Sequence, residues 1–122
     1  MAVRRIVANL YAADPDQAQR FYADLLGLDR VMDHGWLITF ASPASAAAQV
    51  SIACEGGSGT PVPALSIEVD DVDDIHRRAR EARLDIPYPL TDEPWGVRRF
   101  FVRDPFGNLV NILSHLEHQE TL

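Results

Sequence analysis

Hydrophobic and polar residues alternate along several short segments of the chain, and this period of two is typical of half-buried strands. Two other segments show the helical period instead. The pattern predicts strands near residues 5–13, 28–33, 35–41, 48–54, 64–70, 86–90, 97–103 and 108–114. A strand and a helix are followed by three strands, and this order of elements predicts an α+β fold class.

The first helical segment begins at Asp14, a favourable N-cap residue that is followed by Pro15. Gly27 supplies the residue type that ends many helices. We expect one continuous α-helix between them. Its apolar residues recur at helical spacing and form one stripe toward the sheet, consisting of Ala18, Phe21, Tyr22, Leu25 and Leu26.

The second half of the chain repeats this order of elements. A shift of 57 positions places Val7 on Ala64 and Asp14 on Asp71, so that both strand and helix starts coincide. Asp71 predicts a helix that runs to about Arg83, with the apolar stripe Val72, Ile75, Ala79 and Ala82. An internal repeat of this kind indicates two βαβββ modules in one domain. Module one covers about 4–54, a linker 55–63, module two about 64–115, and a polar tail 116–122.

Within the predicted strands, one face is apolar and the opposite face mixes small and polar residues. The apolar face suits packing against the helices. The mixed face either meets water, as in an ordinary two-layer domain, or lines a cleft for a small molecule. The mixed face carries Val7, Asn9 and Tyr11; Gln49, Ser51 and Ala53; Ala64, Ser66 and Glu68; and Leu109, Asn111 and Leu113.

Acidic residues outnumber basic ones, giving a formal net charge of −7. Such a surface repels phosphate backbones and anionic lipids, so we expect neither nucleic acid nor membrane as a partner. It would attract a cationic ligand, or simply keep the protein soluble. Cys54 is the single cysteine, and the N-terminal segment MAVRRIVANLY shows no secretory signal pattern, so a reducing, cytoplasmic location is expected.

Two segments, FYADLLGL (21–28) and PWGVRRFFVRDPFGNLVNI (94–112), resemble the glyoxalase/bleomycin resistance protein/dioxygenase superfamily, also called vicinal oxygen chelate proteins. The turn Asp104-Pro105-Phe106-Gly107-Asn108 is the most specific part of this resemblance. The resemblance implies paired βαβββ modules that form a cupped mixed sheet, commonly in a homodimer, with the small-molecule cleft inside the cup.

The metal enzymes of this superfamily take ligands from four strands, and the resemblance places those positions at Val7, about Ser51, Ala64 and Asn111. Val7 and Ala64 carry no donor atom, and the other two side chains are neutral, poor ligands for a transition metal. We therefore predict no metal at these positions and no cofactor. The alternative is a displaced metal site that draws on His34, His76, His115 or His118, with Glu68 or Glu117.

Glu68 on the mixed face is the candidate catalytic residue, as a general base. The alternative, which we favour, is an ion pair with Arg5, Arg98, Arg99 or Arg103. The aromatic residues are candidate pocket walls, and the arginines candidate anion-binding groups. The full set of predicted ligand-binding residues is Asn9, Tyr11, Trp36, Ser51, Ser66, Glu68, Trp95, Arg99, Phe101, Arg103 and Asn111.

Two functions of different classes follow. The first is a protein that holds a small organic molecule, aromatic or cationic, without chemistry. The second is an enzyme such as a lyase, isomerase or dioxygenase-like protein, either metal-independent with Glu68 as the base or with a displaced metal. Metal-dependent chemistry of the glyoxalase I type ranks third, because the ligand set is incomplete.

Overall fold

The computed structural model describes residues 2–45 and 48–116, and within them it confirms the α+β fold class. All eight predicted strands are present in this part of the chain, with ends that differ from the predicted ones by at most three residues. They are β1 (Val3–Tyr11), β2 (Asp29–Asp33), β3 (Leu37–Ala41), β4 (Gln49–Ala53), β5 (Leu65–Val69), β6 (Tyr88–Glu93), β7 (Val97–Arg103) and β8 (Leu109–His115).

The chain divides into two compact units that we describe separately. The N-unit comprises Val7–Leu65, and the C-unit comprises the chain up to Ile6 together with the chain from Ser66 onward. The strands hydrogen-bond in the order β2-β3-β4-β1-β5-β8-β7-β6. In the N-unit β1 pairs in parallel with β4, and β3 runs antiparallel between β4 and β2. In the C-unit β7 pairs antiparallel with both β6 and β8.

The helical segment of the N-unit is not the single α-helix that the sequence predicts. It consists of a 3₁₀ turn (Pro15–Ala18) and a π-helical segment (Gln19–Leu25). The carboxylate of Asp14 caps it by accepting a hydrogen bond from the backbone N–H of Asp16 at 3.2 Å. Gly27, at a φ of +73°, ends it as predicted.

This change of helix type explains why the predicted apolar stripe is only partly correct. Ala18 and Tyr22 pack on the core cluster of Ile38, Phe40 and Ile52. Phe21, Leu25 and Leu26 are instead exposed. The N–H of Leu26 bonds the carbonyl of Phe21 at 3.2 Å, five residues back. Such i→i+5 bonds widen the turn, so residues at α-helical spacing no longer share one face.

The C-unit helix α1 (Val72–Glu81) follows the α-helical pattern closely and ends two residues before the predicted end. The Asp71 carboxylate accepts a hydrogen bond from the N–H of Asp74 at 3.1 Å, which confirms the N-cap. Val72 and Ala79 of the predicted stripe are buried, whereas Ala82, just beyond the helix, is exposed. No helix in residues 2–45 or 48–116 is long and apolar enough to cross a membrane.

The apolar face of β1 differs from the expectation that helices would cover it. Ile6, Ala8 and Leu10 are exposed, while Val7 and Asn9 on the mixed face are buried. The mixed face of β1 is therefore not a solvated surface along its centre. Burial in β1 therefore falls on the centre of the mixed face, for which the alternation left both water and a cleft open.

Candidate ligand-binding site

Successive side chains of strand β7 lie on opposite faces of the sheet, one of which packs against helix α1. Phe100 meets the ring edge of His76 on α1, with ring centroids 4.9 Å apart, and Arg98 bonds Asp73 on the same helix at 3.0 Å. The ring of His76 is half-buried and in contact with Phe100. Because a strand has a period of two, Arg99 and Phe101 lie on the opposite face, which we call the helix-free face.

Arg99 forms a buried ion pair with Glu93 on this helix-free face. The Nε of Arg99 donates to Oε2 of Glu93 at 2.7 Å, and the two side chains are only 2% and 3% exposed. The hydroxyl of Tyr88 donates to the same oxygen at 2.9 Å. A buried pair needs such additional hydrogen bonds, because both groups have lost their water.

Three aromatic rings surround the guanidinium group of Arg99. The distances from its central carbon to the ring centroids are 4.7 Å for Phe101, 4.9 Å for Trp95 and 5.1 Å for Tyr88. These distances allow cation–π attraction with all three rings. We call these five residues, Tyr88, Glu93, Trp95, Arg99 and Phe101, the arginine cluster. Trp95 and Tyr88 are half-buried and form its more accessible part.

Two polar residues continue the helix-free face beyond the arginine cluster. Asn111 on β8 lies directly opposite Phe101 in the β7–β8 ladder. Its Nδ2 donates to the hydroxyl oxygen of Ser66 on β5 at 3.1 Å. Asn111 is buried, and its Oδ1 has no hydrogen-bond partner within the described chain.

Glu68 lies between two basic groups in the C-unit. One oxygen is 3.3 Å from Nε of Arg5, and the other is 3.8 Å from Nε2 of His115. The favoured alternative for Glu68, an ion pair with an arginine, is thus present in the structure, with Arg5 as the partner. His115 is the last residue of strand β8. His118 and Glu117 lie outside the described residues.

In the N-unit, the helix-free face is the face of the sheet opposite Ile38, Phe40 and Ile52, and it carries a row of small, neutral polar groups. Asn9, Ser51 and Thr39 occupy facing positions on β1, β4 and β3. The hydroxyl groups of Thr39 and Ser51 are 2.8 Å apart and hydrogen-bonded. All three side chains are buried, and Thr39 and Ser51 satisfy each other without a charged group.

Three of the predicted ligand-binding residues lie apart from these groups. Tyr11 is 69% exposed at the end of β1. Trp36 stacks on His34, with ring centroids 5.7 Å apart, in the N-unit turn after β2. Arg103 donates to the carbonyl of Gly107 at 3.0 Å and pairs with Asp85 at 3.4 Å. It therefore supports the turn after β7.

Sequence reasoning missed Tyr88 and Glu93, the partners that complete the arginine cluster. They are five positions apart, so a regular strand would place them on opposite faces. The β6–β7 register shifts between Tyr88 and Thr91, and this bulge returns Tyr88 to the face of Glu93. The only sequence signal near it is the pair of prolines that flank Tyr88.

A family model for the glyoxalase/bleomycin resistance protein/dioxygenase superfamily matches residues 4–112. The chain belongs to this superfamily. The match covers both units and includes the Asp104–Asn108 turn on which the resemblance rests. In that turn, the carboxylate of Asp104 accepts hydrogen bonds from the N–H groups of Phe106 and Asn108, both at 2.9 Å.

Solved structures of the superfamily fold support this assignment. A Vibrio splendidus 12B01 member of the superfamily is 21% identical, covers 93% of this chain and 99% of its own, and has a TM-score of 0.64. Methylmalonyl-CoA epimerase from Mycobacterium tuberculosis is 20% identical over 94% and 88% of the two chains, with a TM-score of 0.64. A Legionella pneumophila protein, described as an NAD-dependent benzaldehyde dehydrogenase, is 20% identical over 90% and 98%, with a TM-score of 0.70.

At these identities the similarity establishes the fold and leaves the activity open. The sequence has no significant match among curated proteins.

The residues at the superfamily's metal positions do not fit a metal ion. Val7 and Ala64 have no donor atom, and the hydroxyl of Ser51 is bonded to Thr39. The Asn111 amide is a weak, neutral ligand that already bonds Ser66. Residues 2–45 and 48–116 hold no group of three or more His, Cys, Asp or Glu side chains arranged for a metal. We therefore derive no catalytic step through a metal, and its absence from the functional protein stays a prediction.

Proposed function

We propose that the protein binds a small, flat organic molecule on the helix-free face of the C-unit. The observation that carries this proposal is the arginine cluster, in which three aromatic rings and one charged pair share a single face. Ligand sites are typically aromatic or apolar, with a few placed polar groups. The half-buried rings of Trp95 and Tyr88 offer stacking surfaces to such a ligand.

An aromatic ligand fits this cluster better than a cationic one. The guanidinium of Arg99 already occupies the position that a ligand cation would take against the three rings. A second cation would be repelled by Arg99 unless Glu93 compensated both charges. The overall charge of −7 still attracts cations at long range, so both classes belong in the test.

The test is the rise in melting temperature caused by a neutral aromatic probe, indole, and a cationic one, benzyltrimethylammonium. A ligand that binds only the folded state raises the melting temperature with concentration. We expect a larger rise with indole, and we expect Trp95→Leu to reduce it. Phe106→Leu is the matched control, because Phe106 is 88% exposed at the turn after β7 and outside the cluster.

A rise unaffected by Trp95→Leu would place the ligand elsewhere, and no rise with either probe would argue against the proposal. Metal content is measured in parallel on protein purified without chelator and then incubated with Zn, Ni, Mn or Fe(II). We expect no near-stoichiometric metal. Bound metal that a chelator removes would contradict this expectation and would make a metal enzyme the favoured function.

A second candidate is a metal-independent enzyme, and the contact between Glu68 and His115 favours it. A carboxylate beside an imidazole is a common acid–base arrangement. Incorporation of solvent deuterium into dihydroxyacetone, followed by NMR, would report proton abstraction beside a carbonyl. Exchange above the buffer rate that Glu68→Gln abolishes would support this enzyme, and the absence of exchange would support binding alone.

We also propose, from the superfamily resemblance alone, a homodimer in the cytoplasm. The exposed apolar residues of β1, Ile6 and Leu10, offer a surface for a second copy. Light scattering after gel filtration should give twice the mass of one chain. Leu10→Glu should shift that mass toward one chain if this face forms the dimer.

A further inference from the structure

Asn111 is the one described residue with a buried side-chain oxygen that lacks a hydrogen-bond partner. The residue is 7% exposed, and its Oδ1 is the unpaired atom. Its Nδ2 donates to the hydroxyl oxygen of Ser66 at 3.1 Å, so Oδ1 is the end of the amide that makes no hydrogen bond. An unpaired buried acceptor lowers stability, so its presence in a folded protein calls for a reason.

The surroundings of Asn111 indicate what would satisfy this oxygen. Asn111 faces Phe101 across the ladder, and the Phe101 ring lies 5.1 Å from the ring of Tyr88. Facing residues have Cβ atoms about 4.5–5.5 Å apart. A flat ligand that stacks along these rings would therefore bring a polar group on its edge within reach of Asn111.

A neutral amide oxygen accepts hydrogen bonds and donates none. A ligand edge with an N–H or O–H group would pair with it, whereas a ligand edge with only an oxygen acceptor would face another acceptor. A site built around such a buried group rejects analogues that lack the matching group. The chemistry on this face therefore favours aromatic compounds with a ring N–H or a phenolic O–H.

We propose that Asn111 determines specificity by accepting a hydrogen bond from the N–H or O–H group of an aromatic ligand. This inference rests on the proposed function and names the ligand class that the same face selects. Asn111 acts here only in binding, and no covalent bond is made or broken.

Two probes of nearly equal shape test the inference: indole, which has a ring N–H, and benzofuran, which has a ring oxygen instead. Calorimetric titration of the full chain should give an affinity for indole about tenfold higher, which equals about 1.4 kcal/mol. Asn111→Leu should bring the ratio of the two affinities close to one. The melting temperature of this variant should be unchanged or higher, because the unpaired acceptor is gone.

Ser114→Ala is the matched control on the same strand. Ser114 lies on the face toward α1, where its hydroxyl donates to the carbonyl of Val69 at 2.7 Å. We expect this variant to lower stability and to keep the preference for indole. In the wild-type protein, the side-chain amide resonances of Asn111 should shift more with indole than with benzofuran, a readout that needs no variant.

The outcomes separate the two proposals. Binding of both probes with equal affinity would overturn the role of Asn111 and leave the proposed function standing. Tighter binding of benzofuran would overturn it too, because the amide would then present its N–H₂ group to the ligand. Failure of both probes to bind would overturn the proposed function and, with it, this inference.

Discussion

The helix-free faces of the two units differ sharply in the polar groups that they carry. In the N-unit the face carries the neutral row Asn9, Ser51 and Thr39. In the C-unit it carries Ser66, Asn111 and Phe101, with the buried Arg99–Glu93 pair beside them. All of these side chains are buried except that of Ser66, which is half-buried, so the main difference between the two faces lies in their polar chemistry.

This contrast shows how differently neutral and charged groups constrain a buried face. Two short hydroxyl side chains such as Thr39 and Ser51 satisfy each other at little cost. A buried arginine is stable only when a carboxylate and further donors are placed around it, which constrains neighbouring strands as well. The C-unit maintains this constraint and also leaves Asn111 Oδ1 unpaired, and both observations support the ligand-binding role that we propose for it.

The largest effect that tests the contrast is the loss of Glu93. Glu93→Leu leaves the guanidinium of Arg99 buried without its carboxylate and removes the acceptor of the Tyr88 hydroxyl. We expect the free energy of unfolding to fall by about 3–5 kcal/mol. Urea denaturation measures this loss.

Asp92→Leu is the matched control for Glu93, one residue earlier in β6. Its ion pair with Arg98 is partly exposed, and removing it should cost less than about 1 kcal/mol. The double change Glu93→Leu with Arg99→Met should recover most of the loss, since apolar replacement of a buried pair is often neutral. Equal costs for Glu93 and Asp92 would show that the arginine cluster is not a buried pair in solution.

The helical segments provide a second comparison, with a smaller expected effect. Tyr22 stacks on Phe40 with ring centroids 5.7 Å apart, whereas its neighbour Phe21 is largely exposed. Tyr22→Ala should lower the free energy of unfolding by about 2 kcal/mol, less than for a fully buried ring. Phe21→Ala should lower it by less than about 1 kcal/mol. Thermal and urea unfolding measure both, and similar costs would favour the continuous α-helix that the sequence predicts.

Thr39→Val tests the neutral row of the N-unit. The change keeps the shape of the side chain and removes the hydrogen bond to Ser51. We expect a loss of about 1 kcal/mol in the free energy of unfolding, because one hydroxyl remains to be satisfied. A loss as large as that of Glu93→Leu would mean that the two faces are equally constrained and would remove the contrast.

The smallest expected effect is a pH dependence carried by His76 of the C-unit. Burial against Phe100 lowers its pKa below the ordinary value of 6.5, and Arg80 lowers it further, while Asp73 opposes this. The unfolded chain then takes up the proton more readily than the folded one. The stability associated with neutral His76 is present above pH 6.5 and is lost as the pH falls through 6.5 toward the folded pKa.

His76→Phe should reduce the dependence of the free energy of unfolding on pH in this range. Urea unfolding between about pH 5 and 8, where histidines titrate, measures the change. The comparison with the wild-type protein cancels the contributions of the other histidines. An unchanged slope would show that His76 is solvated in the folded state.

Local signals in the sequence were sufficient for much of this fold. The period of two located every strand of the described chain, and Asp14, Asp71 and Gly27 marked helix ends correctly. These features depend on a residue and its near neighbours, through backbone conformation and capping. The internal repeat and the Asp104–Asn108 turn then pointed to the superfamily, which the family model confirms.

Features that depend on distant partners were not predictable in this way. The π-helical form of Gln19–Leu25 breaks the helical spacing, and the bulge in β6 reverses the face of Tyr88. Strand alternation placed Arg99 and Asn111 on one face, but it could not supply Glu93 as the partner of Arg99 or leave Asn111 Oδ1 unpaired. Periodicity specifies which way a side chain leaves its strand. Only the packing of neighbouring strands decides what each buried polar atom meets, because that depends on register and on residues far apart in the chain.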